Sequence, residues 1–482
     1  MSAVSVGATR PYIDGEWAEP FDGRLVEVVN PTTEEPIGHA HLAGPADVDR
    51  AVRAARAAFD AGPWAASTPS ERAAILSRAG ELISERAESL ARTITLEVGS
   101  PRAIADWQPI AAKLYVDWHA AQASTFPWEE EREGIRGPLL VRRQPVGVVG
   151  AIVPWNFPVA LSFPKLAPAL LTGCSVVLKP PEETPLFGSL LAEVFEEAGL
   201  PPGVLNVVPA DREVSEELVR HPLVDKISFT GSTRAGRRIA ALCGEQIKRC
   251  SLELGGKSAA IVLPDADLDA VIAELAPNTM RNNGQTCTNA TRVLAQRERY
   301  SDVVEALRAR VGAFPIGDPA DPDVFIGPLV SELQRERVEA YIAKGRDEGA
   351  RLVLGGGRPD RERGYFVEPT IFADVDNRMT IAQEEIFGPV VSVLAYDDED
   401  DAVTIANDSP YGLSGSVWGS DAEHAKDVAR RIRSGNVAVN QHTLDPAGPF
   451  GGFKQSGLGR EGGLEGIEAY VEVQSIPYIG AR

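Results

Sequence analysis

The sequence predicts an α/β protein of two domains, each built on a parallel sheet. Three observations carry that expectation. At 482 residues the chain is longer than one hydrophobic core normally serves. From residue 146 short apolar runs alternate with helical stretches, and the same alternation starts again near residue 290.

Taken in order, residues 46–60 place Val48, Val52, Ala55 and Phe59 at helical spacing, with Asp47 near the start. Residues 126–144, "FPWEEEREGIRGPLLVRRQ", break the pattern with alternating charge and read as an extended arm. Then "VGVVGAIV" reads as a buried strand, "KLAPALL" as a helix and "CSVVLK" as a strand. "PLFGSLLAEVFEEAG" is a helix closed by glycine, and "GVLNVV" and "DKISF" are strands. Alternation of this length points to parallel βαβ units. The second set comprises "RVLAQ", a helix over 331–349, "PVVSVLAY", a helix over 421–433 and "NVAVN". The tail "AYVEVQSIPYIG" is strand-like. Arm and tail show no obvious sheet of their own, which leaves pairing between subunits and an ordinary surface hairpin both open.

The apolar share of 44% and charged share of 24% are those of a globular protein. A formal charge of −21 argues against nucleic-acid or anionic-membrane partners, both of which need a basic surface. No apolar run is long enough for a membrane span, and no export leader is expected. Four cysteines without a CxxC spacing make neither a disulfide framework nor a zinc site, so no metal and a reducing cytoplasm are expected.

Four clusters carry chemistry. Cys287 lies in "NNGQTCTNATR", among small polar residues rather than Val, Leu and Ile. A nucleophilic thiol requires nearby N–H groups or cations that lower its pKa from about 8.5. Gly284, Thr286 and Thr288 would leave the sulfur reachable; the alternative is an inert loop cysteine. Glu253 in "SLELGGKS" is a carboxylate between leucines at a strand end, a candidate base if desolvated and otherwise a salt-bridged glutamate.

Asn156 in "VPWNFP" follows an apolar strand, where its amide would serve either as an oxyanion donor or as a turn cap. Lys179 and Glu182 of "LKPPEETP" stand at the carboxyl end of a strand, where α/β sheets bind ligands. In "SFTGSTRAG", Gly231 and Ser232 open a helix and would present N–H groups to a pyrophosphate. Arg237 and Arg238 stand where a P-loop requires Lys and Ser/Thr, and this stretch has no GxGxxG fingerprint.

Together "YIDGEW", "PWNFP", "LKPPEETP", "FTGST", "ELGGKS", "GQTC", "EEIFGPV" and "PFGGFKQSGLGRE" resemble, in this order, the NAD(P)-dependent aldehyde dehydrogenase superfamily. The spacing of Glu253 and Cys287 fits as well. The resemblance covers almost the whole chain. It implies two Rossmann-type domains: 1–125 with 145–254 for NAD, and 255–455 for catalysis. It also implies an oligomerisation arm of 126–144 and 468–482, and a homodimer or homotetramer.

It further implies roles. Cys287 is the nucleophile, Asn156 and the Cys287 N–H the oxyanion hole, Glu253 the activator of water, and Lys165 an organiser of the site. Lys179 and Glu182 hold the adenosine ribose, and Glu385 and Phe387 the nicotinamide ribose and ring. Val153, Pro154, Trp155, Phe229, Gly231, Ser232, Leu254 and Gly255 lie along the cofactor.

Phe157, Leu161, Pro164, Thr286, Thr288 and the segment 441–446, including Leu444, line the substrate tunnel. No arginine stands among them, which favours uncharged aliphatic or aromatic aldehydes over semialdehydes. Glu182 favours NAD over NADP. Ala210, Asp211 and Ser215 replace glycines usual near the adenine and would narrow that pocket. Three alternatives remain. Glu253 argues against a CoA-acylating relative, the lack of a nearby histidine against a thiol hydrolase, and retention of thiol and base against a non-catalytic scaffold.

Overall fold

The computed structural model describes residues 6–442 and 445–479. Its first sheet carries five parallel strands: β1 (Val148–Ile152), β2 (Ser175–Lys179), β3 (Leu205–Val207), β4 (Lys226–Thr230) and β5 (Arg249–Glu253). Their order is β5-β4-β1-β2-β3, with Gly457–Leu458 antiparallel beside β5 and Tyr12–Ile13 antiparallel beside β3. The winding reverses between β1 and β4. Loops leaving those two strands therefore diverge and open a crevice at the carboxyl edge.

Helices cover both faces, which is why the strands read as apolar runs. Val149, Ala151, Val176 and Leu178 join one core, and Val148, Ile152, Val177 and Ile227 the other. Pro45–Ala61 buries Val48, Val52 and Ala55 as its spacing demands, while Phe59 is half-buried. Three further helices, Pro69–Glu85, Ala87–Val98 and Arg102–Ala121, go beyond the elements read from the sequence. Helix α1 (Phe163–Thr172) connects β1 to β2, and α2 (Thr233–Glu245) connects β4 to β5.

The second sheet holds β6 (Ala259–Val262), β7 (Arg292–Gln296), β8 (Thr370–Ala373), β9 (Val390–Tyr396), β10 (Ser414–Trp418) and β11 (Asn436–Val439). Its parallel order is β8-β9-β7-β6-β10-β11, with Arg351–Leu354 antiparallel on β8. Helix α3 (Leu268–Met280) leads from β6 into the loop of Cys287.

The arm and tail share a sheet that the pattern did not show, and the arm itself is the hairpin that the pattern left open. Glu129–Gly134 and Gly137–Pro145 form a hairpin, and Val471–Pro477 pairs antiparallel with its second strand. Strand periodicity marks an extended segment but does not name its partner. Among the described residues no helix is long and apolar enough to cross a membrane.

Candidate active site

The crevice between β1 and β4 leads to one cavity walled by Asn156, Glu253, Cys287, Glu385 and Phe387. Pro154, Trp155, Leu161, Gly231, Ser232, Leu254 and Gly255 also line it. A second cavity beside it is lined by Lys179, Glu182 and Phe229, with Ala210 and Ser215 on its wall. Val153 is buried in the core and lines neither cavity.

The loop of Cys287 is built by side chains rather than by regular structure. Asn282, Asn283 and Gly284 all take positive φ, a conformation Asn and Gly tolerate best. Asn283 donates to the carbonyls of Gly99 (3.0 Å) and Pro328 (2.7 Å) and accepts from the Gly327 N–H (2.7 Å). At Gly284 a Cβ would fall 2.0 Å from the Gly388 backbone, so only glycine passes.

Burial pushes the Cys287 thiol up to about 12, and Glu385 and Glu253 push the same way. The N–H groups of Cys287 and Thr288 oppose this without overcoming it. The expected lowering of this pKa is thereby corrected: burial of the sulfur dominates, and two carboxyl groups from distant segments add to it.

Glu253 ends β5 at 3% exposure, and neither carboxyl oxygen has a hydrogen-bond partner among the described residues. Burial, and then Glu461, hold its pKa well above the usual carboxylate range, against Lys165 and Arg460. The salt-bridged alternative is excluded in this structure. Lys165 lies behind the cavity wall. Its ammonium donates to Thr230 Oγ1 at 2.7 Å and pairs with Glu461, and all three groups are poorly exposed. Glu461 ends the last motif read from the sequence, yet nothing local marked it as a partner of Lys165.

Asn156 is 2% exposed and donates one amide N–H to the Gln285 carbonyl at 2.8 Å. Its second N–H has no acceptor among the described residues. Gly256 donates to Glu385 Oε1 at 3.0 Å, and a Cβ at Gly255 would stand 2.4 Å from the same carboxyl. The paired glycines thus let the main chain pass between the Cys287 carbonyl and the Glu385 carboxyl group. Phe387 adopts φ 63° and meets Trp155 edge to face at 5.3 Å, an unfavourable backbone held where two rings define a slot.

On the other side of the crevice Lys179 is buried with no hydrogen-bond or ion-pair partner among the described residues, and burial lowers its pKa to about 8. Glu182 is met at 2.9 Å by Arg24, which also reaches Asp211 at 3.5 Å. Arg24 comes from a distant strand, Arg24–Asn30, which pairs antiparallel with Glu35–Leu42, so the local motif carries no sign of it. One expectation fails here. The Gly231 N–H donates to the Glu253 carbonyl at 2.9 Å, so it is not free for a phosphate. The Ser232 hydroxyl caps α2 by accepting from the Ala235 N–H at 3.3 Å.

Of the tunnel residues, Phe157 and Leu161 pack with Trp107 and Ile104. Thr286 donates to the Arg281 carbonyl at 3.0 Å, and Thr288 is 3% exposed. Pro164 is buried in α1 and lines neither cavity. Leu444 lies outside the described residues. Arg281, unmarked by the local sequence, packs on this shell, its guanidinium 4.6 Å from the Trp107 ring and 5.8 Å from that of Phe157. Burial, and then Arg281, lower the pKa of His442 to about 4, leaving it neutral. Among the described residues no cluster of His, Cys, Asp or Glu is placed to hold a metal ion.

The profile of the aldehyde dehydrogenase family matches residues 17–476. Geranial dehydrogenase of Castellaniella defragrans is 49% identical over 471 residues, covering 97% of this chain and 98% of that one. An aldehyde dehydrogenase of Mycobacterium tuberculosis, solved with NAD+, superposes with a TM-score of 0.97 at 48% identity, covering 99% of this chain and 100% of that one. A mutant of aldehyde dehydrogenase C from Pseudomonas syringae, solved with NAD+ and octanal, gives 0.94 at 43% identity, covering 97% and 96%. Fold, site and sequence agree: this chain belongs to the aldehyde dehydrogenase family.

Proposed function

We propose that this chain oxidises uncharged aliphatic or aromatic aldehydes to carboxylic acids with NAD, through a thiohemiacetal and a thioester on Cys287. The observation that carries the reading is the convergence of Cys287, Glu253 and Asn156 on one cavity from three separate segments. Once deprotonated, the sulfur adds to the carbonyl carbon. The free Asn156 N–H and the Cys287 N–H hold the oxyanion, and covalent attachment fixes the carbon. The chemistry that bound NAD would supply is acceptance of the hydride lost from that carbon, which leaves a thioester on Cys287. Glu253 then draws a proton from water, whose oxygen attacks the thioester and releases the acid. Lys165, through Glu461 and Thr230, organises the wall behind this base.

The residues fit the cofactor. The unpartnered Lys179 ammonium and Glu182 suit an adenosine ribose, while Glu385, Phe387 and Trp155 suit the nicotinamide end. Glu182 is the group that a ribose 2′-phosphate would meet, which favours NAD over NADP. In this scheme 1–125 with 145–254 forms the cofactor domain and 255–455 the catalytic domain. The arm with the tail joins subunits of a homo-oligomer, supported by exposed Ile135, Val473 and Ile479. Four free cysteines support a reducing cytoplasm.

For the substrate, the apolar shell of Phe157, Leu161, Trp107 and Ile104 supports an uncharged chain. So do relatives named for geranial and solved with octanal. One observation favours a second reading. Arg281 has no carboxylate partner among the described residues and could receive the distal carboxylate of a semialdehyde. Reduction of NAD by hexanal, benzaldehyde and succinic semialdehyde decides. A kcat/KM highest for hexanal or benzaldehyde supports the proposal, and one clearly highest for succinic semialdehyde selects the second reading.

A further inference from the structure

The wall beside Cys287 holds a cation that the chemistry above does not use. Arg281 caps the end of α3, and its carbonyl is fixed by the Thr286 hydroxyl (3.0 Å) and the Asn289 amide (3.1 Å). Its guanidinium spreads over Trp107 and Phe157, whose rings meet edge to face at 6.1 Å. Leu161 packs on this cluster and also lines the Cys287 cavity, so the cluster backs that wall through one shared side chain. No acidic side chain neutralises the guanidinium among the described residues. Arg281 is close enough to Cys287 that a thiolate there stabilises its charge.

We infer that Arg281 fills an aromatic cage with the protein's own cation, and thereby excludes aldehydes that carry a permanent positive charge. The inference rests on the reading of Cys287 as the site of aldehyde oxidation. Two electron-rich ring faces one side chain behind the cavity wall would otherwise attract a quaternary ammonium group. Here both faces are occupied, and an incoming cation meets a like charge in a water-poor space, where repulsion is weakly screened. A neutral chain meets no such barrier. Arg281 is thus a residue that sets substrate charge, not a catalytic one.

The test uses two aldehydes of equal shape, (trimethylammonio)acetaldehyde and 3,3-dimethylbutanal, which differ in a charged nitrogen for a neutral carbon. The quantity read is the kcat/KM of the cation divided by that of its neutral isostere, in the parent, Arg281→Met and Arg281→Lys. Differences in intrinsic reactivity and any general loss of activity cancel between variants. Arg281→Met is expected to raise the ratio roughly 30-fold, about 2 kcal/mol, while Arg281→Lys leaves it within about threefold. A ratio unmoved by Arg281→Met, or raised equally by Arg281→Lys, would overturn the inference. Oxidation of 3,3-dimethylbutanal by the parent enzyme tests the dehydrogenase reading separately, because that reading depends on Cys287.

Discussion

The Asn156 amide donates to the Gln285 carbonyl at 2.8 Å, and the Asn282 amide returns a bond to the Asn156 carbonyl at 3.0 Å. The end of β1 is thereby clamped to the loop of Cys287, and one side chain both positions the nucleophile and offers a free N–H. Asn156→Ala removes both. Its kcat for hexanal is expected to fall by roughly 10²–10³. Loss of the amide's bond to Gln285, with the Asn282 bond to the Asn156 main-chain carbonyl retained, should cost ~1 kcal/mol of stability in a thermal melt. A change confined to KM would contradict the oxyanion role.

Glu253 gives the enzyme a pH dependence of predictable sign. Burial holds its folded pKa well above the ordinary carboxyl value. The base form therefore grows as pH rises, and deacylation-limited kcat should climb with pH and fall toward acid. Glu253→Gln should flatten that profile. For stability, the contribution of the neutral carboxyl is complete below the unfolded carboxyl pKa and is lost as pH rises through the raised folded value. Glu253→Gln should accordingly gain melting temperature over the parent at alkaline pH and not at acid pH.

Lys165 and Glu461 form an ion pair with exposures of 0% and 3%. Breaking such a pair on one side strands a charge. Lys165→Met should lose about 3–5 kcal/mol in urea unfolding, and the double variant Lys165→Met/Glu461→Gln less than that. Equal losses would show that Glu461 finds another partner.

Arg24 shares the carboxylate of Glu182 with the cofactor side of the crevice. Without it, Glu182 keeps its full repulsion toward a 2′-phosphate. Arg24→Ala should lower kcat/KM for NADP several-fold while changing NAD by less than about twofold, as expected for an exposed pair. An equal change for both cofactors would remove Arg24 from cofactor choice.

Much of this architecture was legible in the sequence. Strands such as β1 and β2 are buried on both faces, so they appear as unbroken apolar runs, and their alternation with helices signals parallel sheets. Cys287, Glu253 and Asn156 stood out because each residue type is unusual in its surroundings. Partnerships between distant segments were not legible. Arg281 beside Trp107, Arg24 on Glu182 and Glu461 against Lys165 join residues whose local sequence carries no trace of the contact. The raised thiol pKa has the same origin, since burial of the sulfur, and then the approach of Glu385 and Glu253, arise only in the fold. The Gly231 N–H was misjudged because a helix entry suggests a free donor, whereas the Glu253 carbonyl already occupies it.

Whether an acyl group passes through the sulfur of Cys287 and leaves by way of Glu253 is open to direct weighing. Glu253→Gln, mixed with NAD and hexanal, quenched in acid and analysed by peptide mass spectrometry, should carry a hexanoyl group on Cys287. The same treatment of Cys287→Ala should leave every peptide unmodified. Formation of reduced cofactor with no acyl group on Cys287, or with the group on Cys174, Cys243 or Cys250, would contradict the account.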